Sequence, residues 1–439
     1  MNSAIWVNEL TDVLSKEQIY NEENDHHILG NSGLTIVYPY SEEDISTVLK
    51  FANKNSLSVS IMGNGSKRGF GGLQEVHDLL LSLGKYKGVI EHTVGDMTVT
   101  VKAGTPFQEL QDYLAKTNQK ISLDPFLPAE ATVGGILAAN DSGPKRLKYG
   151  SARDSVIGIR TVYPDGTVIR SGGKVVKNVA GYDMNKLFIG SMGTLGVMTE
   201  VTFKLRPLPK YESLVFVTFP DGNEANLKDF STRVLDSVLE PVCIELLSPS
   251  LAEKLLDVKK YTIVIAFEDV ESSVHYQEEM VKSIRPSNAE MGILNQSEAQ
   301  HFWKEFYSFY PDKSSVGREL TAVLKIGVVN LDVIKVIKET ESLQDLYGVT
   351  IEAHGGLGHG VCHMTLKGGQ EDIISSIQHI RKSLDPLGGY AVGKHLPYLL
   401  RMEVNTWGEK PAYFSLLEGI KSKIDPNKIL NPKRFVGGI

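Results

Sequence analysis

The sequence predicts an α+β fold with two domains, and three observations support this prediction. Up to about residue 209, short alternating strands and capped helices follow one another without a regular repeat. Twelve glycines fall between Gly134 and Gly196, far above the average share of about 7%. From about residue 211 to 395, glycines are fewer and strands alternate with helices. The predicted segments are a helical lead-in over 1–29, a first domain over 30–209, a second domain over 210–395 and a C-terminal segment over 396–439.

The first predicted unit of structure runs from a strand into a glycine-rich loop. Leu34–Pro39 is a short strand, and Ser41 caps a helix whose first turn is acidic. A second strand over Leu57–Met62 leads directly into Gly63–Gly69. Successive N–H groups of such a loop can form a concave anion site suited to a diphosphate. The spacing matches neither common dinucleotide motif, so an ordinary tight turn is an equal alternative.

Further strands are predicted over 78–83, 88–92 and 98–104. Thr105 and Pro106 have the residue types of an N-cap and a first helical position. A helix over 134–140 and an Asp165-Gly166 hairpin turn follow.

The second domain is predicted from alternating strand and helix patterns. The strands are expected over 213–218, 242–246, 261–267, 322–329 and 350–353, and the helices over 226–238, 274–284, 332–346 and 370–384.

Composition excludes several classes of protein. The net charge of −7, without a basic block, argues against a nucleic-acid partner. Cys243 and Cys362 are the only cysteines, so this chain cannot by itself hold an iron–sulfur cluster or a Cys-based zinc site. No apolar run of about 18 residues occurs, and the N-terminal region lacks an apolar core, so we expect a cytoplasmic protein.

The sequence also contains a histidine cluster, with His354, His359 and His363 between glycines. If a strand began at residue 359, His359 and His363 would share one face. The cluster could bind a metal, although Glu352 is the one carboxylate close to it in sequence. The alternative is that His354 transfers a proton or contacts a substrate.

Five ordered motifs resemble the FAD-binding family of the vanillyl-alcohol oxidase type, also called the p-cresol methylhydroxylase (PCMH) type. The motifs are Gly63-Asn64-Gly65-Ser66, Ala131–Gly135, Tyr149-Gly150-Ser151, Gly193–Glu200 and Asp425–Pro432. Within this family, Ser142–Gly150 and Gly172–Asp183 are most similar to the E-type flavin component of glycolate oxidases.

The resemblance implies noncovalent FAD, because the first loop has neither His nor Cys. It further implies a two-subdomain FAD-binding domain over 30–209, a second domain that caps the flavin, and a C-terminal segment that returns to the first domain. The residues expected to bind FAD are Gly63, Asn64, Gly65, Ser66, Lys67, Pro128, Ala131, Thr132, Gly134, Gly135, Asn140, Ser142, Gly143, Tyr149, Gly193, Thr194, Gly196, Val197 and Asn431.

Related D-2-hydroxyacid dehydrogenases carry a metal-binding His-x-Gly-Asp-Gly-Asn-x-His motif. When the first His of this motif is aligned with His354, this chain has Leu357 in place of the Asp and Val361 in place of the second His. No metal is therefore expected. The expected catalytic residues are His354 for proton transfer, and Lys394 and Arg318 as cations for a substrate carboxylate.

Three functions follow as hypotheses. The first is an FAD-dependent oxidoreductase that oxidises a small 2-hydroxy acid such as glycolate. This enzyme would be one subunit of a complex with a sister flavin subunit and an iron–sulfur subunit, and any membrane association would come through those partners. The second is an FAD-binding relay or structural subunit without substrate oxidation of its own. The third is an oxidase that passes electrons to oxygen.

Overall fold

The computed structural model describes residues 3–21, 27–174, 182–311 and 319–439. The chain divides into two compact units. The first unit comprises Met1–Asp141, Ser151–Pro207 and His395–Ile439, and the second comprises Ser142–Gly150 and Leu208–Lys394. Both units combine sheets with helices, and the predicted α+β class is confirmed.

The first unit contains a small sheet of four strands: β1 Ile19–Asn21, β2 Ser32–Val37, β3 Val59–Met62 and β4 Val76–Ser82. Their order in the sheet is β1-β2-β4-β3. Strands β2, β3 and β4 are parallel, and β1 is antiparallel to β2. The helix α2, Glu42–Asn55, connects β2 to β3 and begins after Ser41, whose side chain accepts a hydrogen bond from the Asp44 N–H as predicted for an N-cap.

The first unit also contains a five-stranded antiparallel sheet and a two-stranded ribbon. The bounds are β5 Val89–Thr93, β6 Thr98–Lys102, β7 Gln119–Lys120, β8 Val156–Val162, β9 Val168–Gly172, β10 Val197–Lys204 and β11 Arg206–Pro207. The larger sheet has the order β5-β6-β10-β8-β9, and the ribbon pairs β7 with β11. The predicted hairpin at Asp165-Gly166 joins β8 to β9, and Gly166 has the positive φ of +79° that this turn requires.

The helices of the first unit include one whose start differs from the prediction. Besides α2, their bounds are α1 Ser3–Thr11, α3 Phe107–Ala115, α4 Val133–Ala139, α6 Ala152–Ser155, α7 Asn185–Phe188, α14 Tyr398–Glu403 and α15 Phe414–Ile424. Pro106, not Thr105, is the N-cap of α3, because the Thr105 hydroxyl is used elsewhere: it donates to the Lys102 carbonyl at 2.8 Å.

The C-terminal segment is part of the first unit and is held there by a buried ion pair. Lys421 on α15 contacts Asp425 at 2.6 Å, and its ammonium also donates to the carbonyls of Thr194 and Leu430. Asp425 in turn accepts the Leu430 N–H at 2.9 Å. Leu430 bridges Val59 of β3, so the tail is fixed beside the strand that precedes the glycine loop.

The second unit is built on an eight-stranded sheet. The bounds are β12 Tyr211–Phe219, β13 Cys243–Leu247, β14 Tyr261–Asp269, β15 Glu290–Leu294, β16 Leu320–Gly327, β17 Thr350–Gly356, β18 Val361–Gly368 and β19 Tyr390–His395. Their order in the sheet is β15-β12-β14-β13-β17-β18-β16-β19. The sequence analysis predicted neither β15 nor β19, and it considered a strand in the region of β18 only conditionally, from residue 359.

Six longer helices belong to this unit. Their bounds are α8 Glu224–Leu235, α9 Pro249–Leu256, α10 Glu271–Ile284, α11 Gln296–Ser308, α12 Val333–Tyr347 and α13 Gln370–Leu384. The prediction missed α9 and α11. The short segment Ser142–Gly150 also belongs to this unit, with a one-turn helix α5 over Arg146–Tyr149. Across the described ranges, no helix is both long and apolar enough to cross a membrane.

Candidate functional site

The glycine loop of the first unit closely approaches the side chain of Thr132, at the start of another element. A Cβ on Gly63 would lie 2.0 Å from the Thr132 Oγ1, so only glycine permits this contact. Thr132 caps α4, and its side chain accepts the Gly135 N–H. Gly65 has φ +80°, and the turn closes through the Arg68 N–H to the Gly65 carbonyl. The loop and the start of α4 therefore form adjacent walls.

These walls belong to a cavity of about 750 Å³ that is partly open to solvent. Three cationic side chains stand among apolar residues and backbone. The lining residues are Asn31, Ser60–Arg68, Leu83, Ala103, Thr132, Gly134, Gly135, Ala138, Ala139, Met192, Gly193, Gly196, Met198, Asn431 and Arg434.

Lys67 forms a buried ion pair at this cavity. Its ammonium lies 2.8 Å from Asp141 Oδ2, and the two side chains are 7% and 0% exposed. It also donates to the Phe126 carbonyl at 3.3 Å. A buried charge of this kind is stable only when it is paired, so Lys67 and Asp141 depend on each other.

The tail completes the cavity through Asn431 and Arg434. Asn431 accepts the Ile61 N–H at 3.0 Å and donates to the Met192 carbonyl at 2.8 Å. The Arg434 guanidinium donates to the carbonyls of Phe70, Ile61 and Lys67. Burial lowers the pKa of Arg434 to about 10, and the nearby Arg68 charge adds to this.

The predicted FAD residues divide into three sets. Eleven line the cavity: Gly63, Asn64, Gly65, Ser66, Lys67, Thr132, Gly134, Gly135, Gly193, Gly196 and Asn431. Pro128, Ala131, Asn140, Thr194 and Val197 belong to the same unit but are outside the lining, and Ser142, Gly143 and Tyr149 belong to the second unit.

Contacts explain why some of these residues lie elsewhere. The Thr194 hydroxyl donates to the Ser191 carbonyl, and its own carbonyl accepts from Lys421, so this residue supports the tail. The Tyr149 hydroxyl donates to Glu268 Oε2 at 2.7 Å, and Lys145 contacts the other oxygen at 2.6 Å. The motif around Tyr149 thus anchors its segment within the second unit.

The histidine cluster lies in the second unit, on one face of the sheet. His354 and His363 are directly paired across β17 and β18, and their ring centroids are 5.1 Å apart. Lys325 is paired with His363 across β16 and β18. The strand begins at Val361 and His359 is in the turn before it, so His359 does not share a strand face with His363.

Glu245 is the residue of this cluster that the sequence analysis missed. It lies on β13, and its Oε2 is 2.8 Å from His354 Nδ1 while its Oε1 is 3.5 Å from His359 Nε2. Its side chain is 1% exposed. The available signal was a single carboxylate within the apolar run Cys243–Leu247, since carboxylates are rarely buried without a partner.

Lys394 reaches the same cluster from β19. Its ammonium lies 3.3 Å from His363 Nε2, and both residues are buried. An ammonium has no acceptor, so His363 Nε2 must accept and the imidazole is neutral. In agreement, burial and then the Lys394 charge hold the pKa of His363 well below its usual value. Arg318, the other predicted cation, lies outside the described residues.

The cluster does not fit the metal site that the family resemblance implies. The ring nitrogens described above face Glu245 and the Lys394 ammonium, and a second cation beside an ammonium is disfavoured. Within the described part of the chain, no group of three His, Cys, Asp or Glu side chains has a geometry that could hold a metal.

The sequence and the structure of this chain are similar to those of known proteins. Residues 34–172 match the model of the FAD binding domain family. The D-lactate dehydrogenase of Archaeoglobus fulgidus is 25% identical, with 98% of this chain and 99% of the relative covered. The glycolate oxidase subunit GlcD of Bacillus subtilis is 25% identical, with 91% and 88% covered. The structure of p-cresol methylhydroxylase is similar with a TM-score of 0.77 at 16% identity, covering 98% of this chain and 96% of that one.

These findings define the class of protein. Residues 34–172 are an FAD-binding domain, and the chain is a flavoprotein with the PCMH-type fold. FAD is its cofactor, and the first glycine loop carries no His or Cys that could attach it covalently.

Proposed function

We propose that the protein is an FAD-dependent oxidoreductase that converts the CH–OH group of a small 2-hydroxy acid into the carbonyl of a 2-oxo acid. Support comes from the FAD-binding domain and from relatives named as a D-lactate dehydrogenase and a glycolate oxidase subunit. The observation that carries the proposal is the pair of a carboxylate-bound His354 and a buried Lys394 in the second unit.

The reaction removes a hydride from the hydroxyl-bearing carbon and a proton from the hydroxyl group. Bound FAD supplies the hydride acceptor. His354 is the proposed base for the proton. Because a carboxylate only accepts, Glu245 requires a proton on His354 Nδ1, and Nε2 is then the nitrogen that can take up the hydroxyl proton.

Lys394 is proposed to hold the substrate carboxylate. The residue is 3% exposed, and an ion pair formed where water is excluded is stronger than one at the surface. Lys325, on the same sheet face as His363, adds positive charge. Arg318 remains a further proposed cation.

For binding of FAD, the eleven predicted residues that line the cavity are proposed to contact the cofactor. Backbone groups of Gly63–Ser66 suit its diphosphate, and Lys67, Arg68 and Arg434 add charge of the required sign. The cofactor needs close approach to backbone, which the glycines on both walls permit.

Glycolate is the proposed substrate, and a multi-subunit complex the proposed setting. One relative is named as a subunit of glycolate oxidase. The chain has only two cysteines, so the electrons would leave through an iron–sulfur partner or a sister flavin subunit. A complex purified by a tag on this chain should contain iron and acid-labile sulfide in a second polypeptide.

The second candidate is a relay subunit that binds FAD without oxidising a substrate. The observation in its favour is the departure from the metal-binding motif of D-2-hydroxyacid dehydrogenases at Leu357 and Val361.

Single-turnover reduction of the bound FAD separates these candidates. His354→Gln should slow reduction by a 2-hydroxy acid about 10²- to 10⁴-fold, as expected for loss of a general base. Lys394→Met should weaken binding of the acid at least about 10-fold, while the surface variant Lys382→Met should behave as wild type. Unchanged FAD reduction in both His354→Gln and Lys394→Met would contradict the roles assigned to these two residues. No FAD reduction in the wild type would favour the relay subunit.

A further inference from the structure

Glu245 holds two histidines that come from a different part of the chain. It is on β13, whereas His354 lies on β17 and His359 lies in the following turn. The register pairs Leu247 with His354, so Glu245 lies two residues away on the same sheet face. Each carboxylate oxygen faces one imidazole, at 2.8 and 3.5 Å.

The fold makes room specifically for the second imidazole. A Cβ on Gly356 would lie 2.0 Å from the His359 ring, so glycine is required there for the ring to reach Glu245. The Phe306 ring packs edge-on against His354, with the ring centroids 4.7 Å apart. The carboxylate and both rings are therefore held by packing as well as by hydrogen bonds.

Glu245 is ionised in this setting. Burial acts to raise its pKa, but the hydrogen bond from His354 and the nearby His359 imidazole outweigh burial and hold the pKa below its ordinary value. An ionised carboxylate is an acceptor only, so His354 Nδ1, 2.8 Å from it, carries a proton.

The cluster that contains Glu245, His354 and His363 includes further charged or titratable groups. They come from each neighbouring strand and turn: His359 from the turn, His363 and Cys362 from β18, Lys325 from β16 and Lys394 from β19. The lysines disfavour a second positive charge, whereas Glu245 favours it. Glu245 is the carboxylate that contacts His354 directly, 2.8 Å from Nδ1.

We infer that Glu245 is a positioning residue: it fixes the tautomer of His354 that presents Nε2 to the substrate hydroxyl and stabilises the ring after it has taken the proton. This inference rests on the proposed role of His354 as the base. The proton goes from the hydroxyl oxygen to Nε2, Nδ1 keeps its proton, and Glu245 remains ionised throughout. The arrangement is the one by which a buried carboxylate orients a catalytic histidine in other enzymes.

The first test is ¹⁵N NMR of FAD-loaded, histidine-labelled protein, with His354→Gln used to assign the signal. The wild type should show His354 protonated on Nδ1 and not on Nε2 at alkaline pH. Glu245→Gln should produce a mixture of tautomers, because an amide can both donate and accept. Glu352→Gln, a nearby carboxylate on β17 paired with surface lysines, is the matched control and should leave the signal unchanged.

The second test is the pH dependence of FAD reduction by the substrate acid. Glu245→Gln should lower the limiting rate at least about 10-fold, change substrate binding less than about 3-fold, and move the acidic limb of the profile to lower pH. A merely structural carboxylate would not move that limb.

The two tests separate the inference from the proposed function. A His354 ring protonated on Nε2 in the wild type would overturn the inference, even if Glu245→Gln does not fold. If the wild-type His354 ring is protonated on Nδ1 but the His354→Gln variant still reduces FAD normally, the contact between Glu245 and His354 would be retained. The catalytic role of His354 would be overturned.

Discussion

At the scale of single residues, the first unit stabilises a cationic cavity with one carboxylate. Lys67 is at the cavity wall, and its partner Asp141 is fully buried. Arg434 is buried as well, but its hydrogen bonds in the glycine-loop region go to backbone carbonyls. The Lys67 charge is therefore held by a buried carboxylate and the Arg434 charge by backbone carbonyls, and positive charge at the cavity wall suits an anionic cofactor.

Lys67→Met should destabilise the first unit by about 3 kcal/mol, because it leaves Asp141 buried without its partner. Adding Asp141→Asn should recover much of this loss, since the uncompensated charge is then removed. Urea unfolding of the cofactor-free protein measures both effects. Equal stability of the wild type and Lys67→Met would contradict the account of this pair.

In each of the two buried pairs, Lys67 with Asp141 and His354 with Glu245, the sequence indicated one partner and not the other. Lys67 and His354 stand in glycine-rich motifs that attract attention. Asp141 and Glu245 have no local motif, and Glu245 is 109 residues from His354 along the chain. Only the tertiary fold brings such residues together, and neither hydrophobic periodicity nor the spacing of motifs contains that information.

At the scale of elements, the returning tail and the segment before β10 support each other. Gly193 has φ +70°, and a Cβ there would lie 2.7 Å from Asn431 Nδ2. Asn431 is bound to both Ile61 and Met192 and cannot shift without losing a contact.

Gly193→Ala should therefore lower the stability of the first unit by about 1–3 kcal/mol, through backbone strain and displacement of Asn431. The affinity for FAD should fall with it. Gly95→Ala is the control, because nothing lies within 4 Å of its added Cβ. Fluorescence titration with FAD and thermal unfolding measure the two effects. A Gly193→Ala protein as stable as Gly95→Ala would contradict the close approach.

Strands and helices with clear periodicity were predicted well, for example α2, β3 and α13. The errors fall where tertiary contacts decide. Thr105 resembles an N-cap, but its hydroxyl bonds the Lys102 carbonyl and the helix begins after Pro106. The glycines around His359 argued against a helix but did not fix where a strand starts, and sheet pairing makes Val361–Gly368 the strand.

At the scale of the whole molecule, two buried histidines make stability depend on pH. Burial, followed by the charge of Arg434, lowers the pKa of His77 to about 4, and burial, followed by Arg401, lowers that of His395 to about 3. Unfolded histidine titrates near pH 6.5. Between these values the unfolded chain binds more protons, so the free energy of unfolding falls as the pH falls from about 6.5 towards 4.

His77→Gln should flatten this dependence by about 1.2 kcal/mol per pH unit between pH 6 and 5. The exposed His301→Gln is the control and should retain the wild-type slope. Unfolding in urea at a series of pH values measures the slope. The same slope in His77→Gln and wild type would show that His77 does not remain neutral in the folded protein.

The central claim is that this flavoprotein oxidises a 2-hydroxy acid. The most direct test is anaerobic mixing of the FAD-loaded chain with glycolate and with D- and L-lactate, followed through the visible flavin absorption. One of these acids should bleach the flavin absorption and be converted to its 2-oxo acid in an amount equal to the bound FAD. A flavin that stays oxidised with every 2-hydroxy acid, in a protein that binds FAD fully, would contradict it.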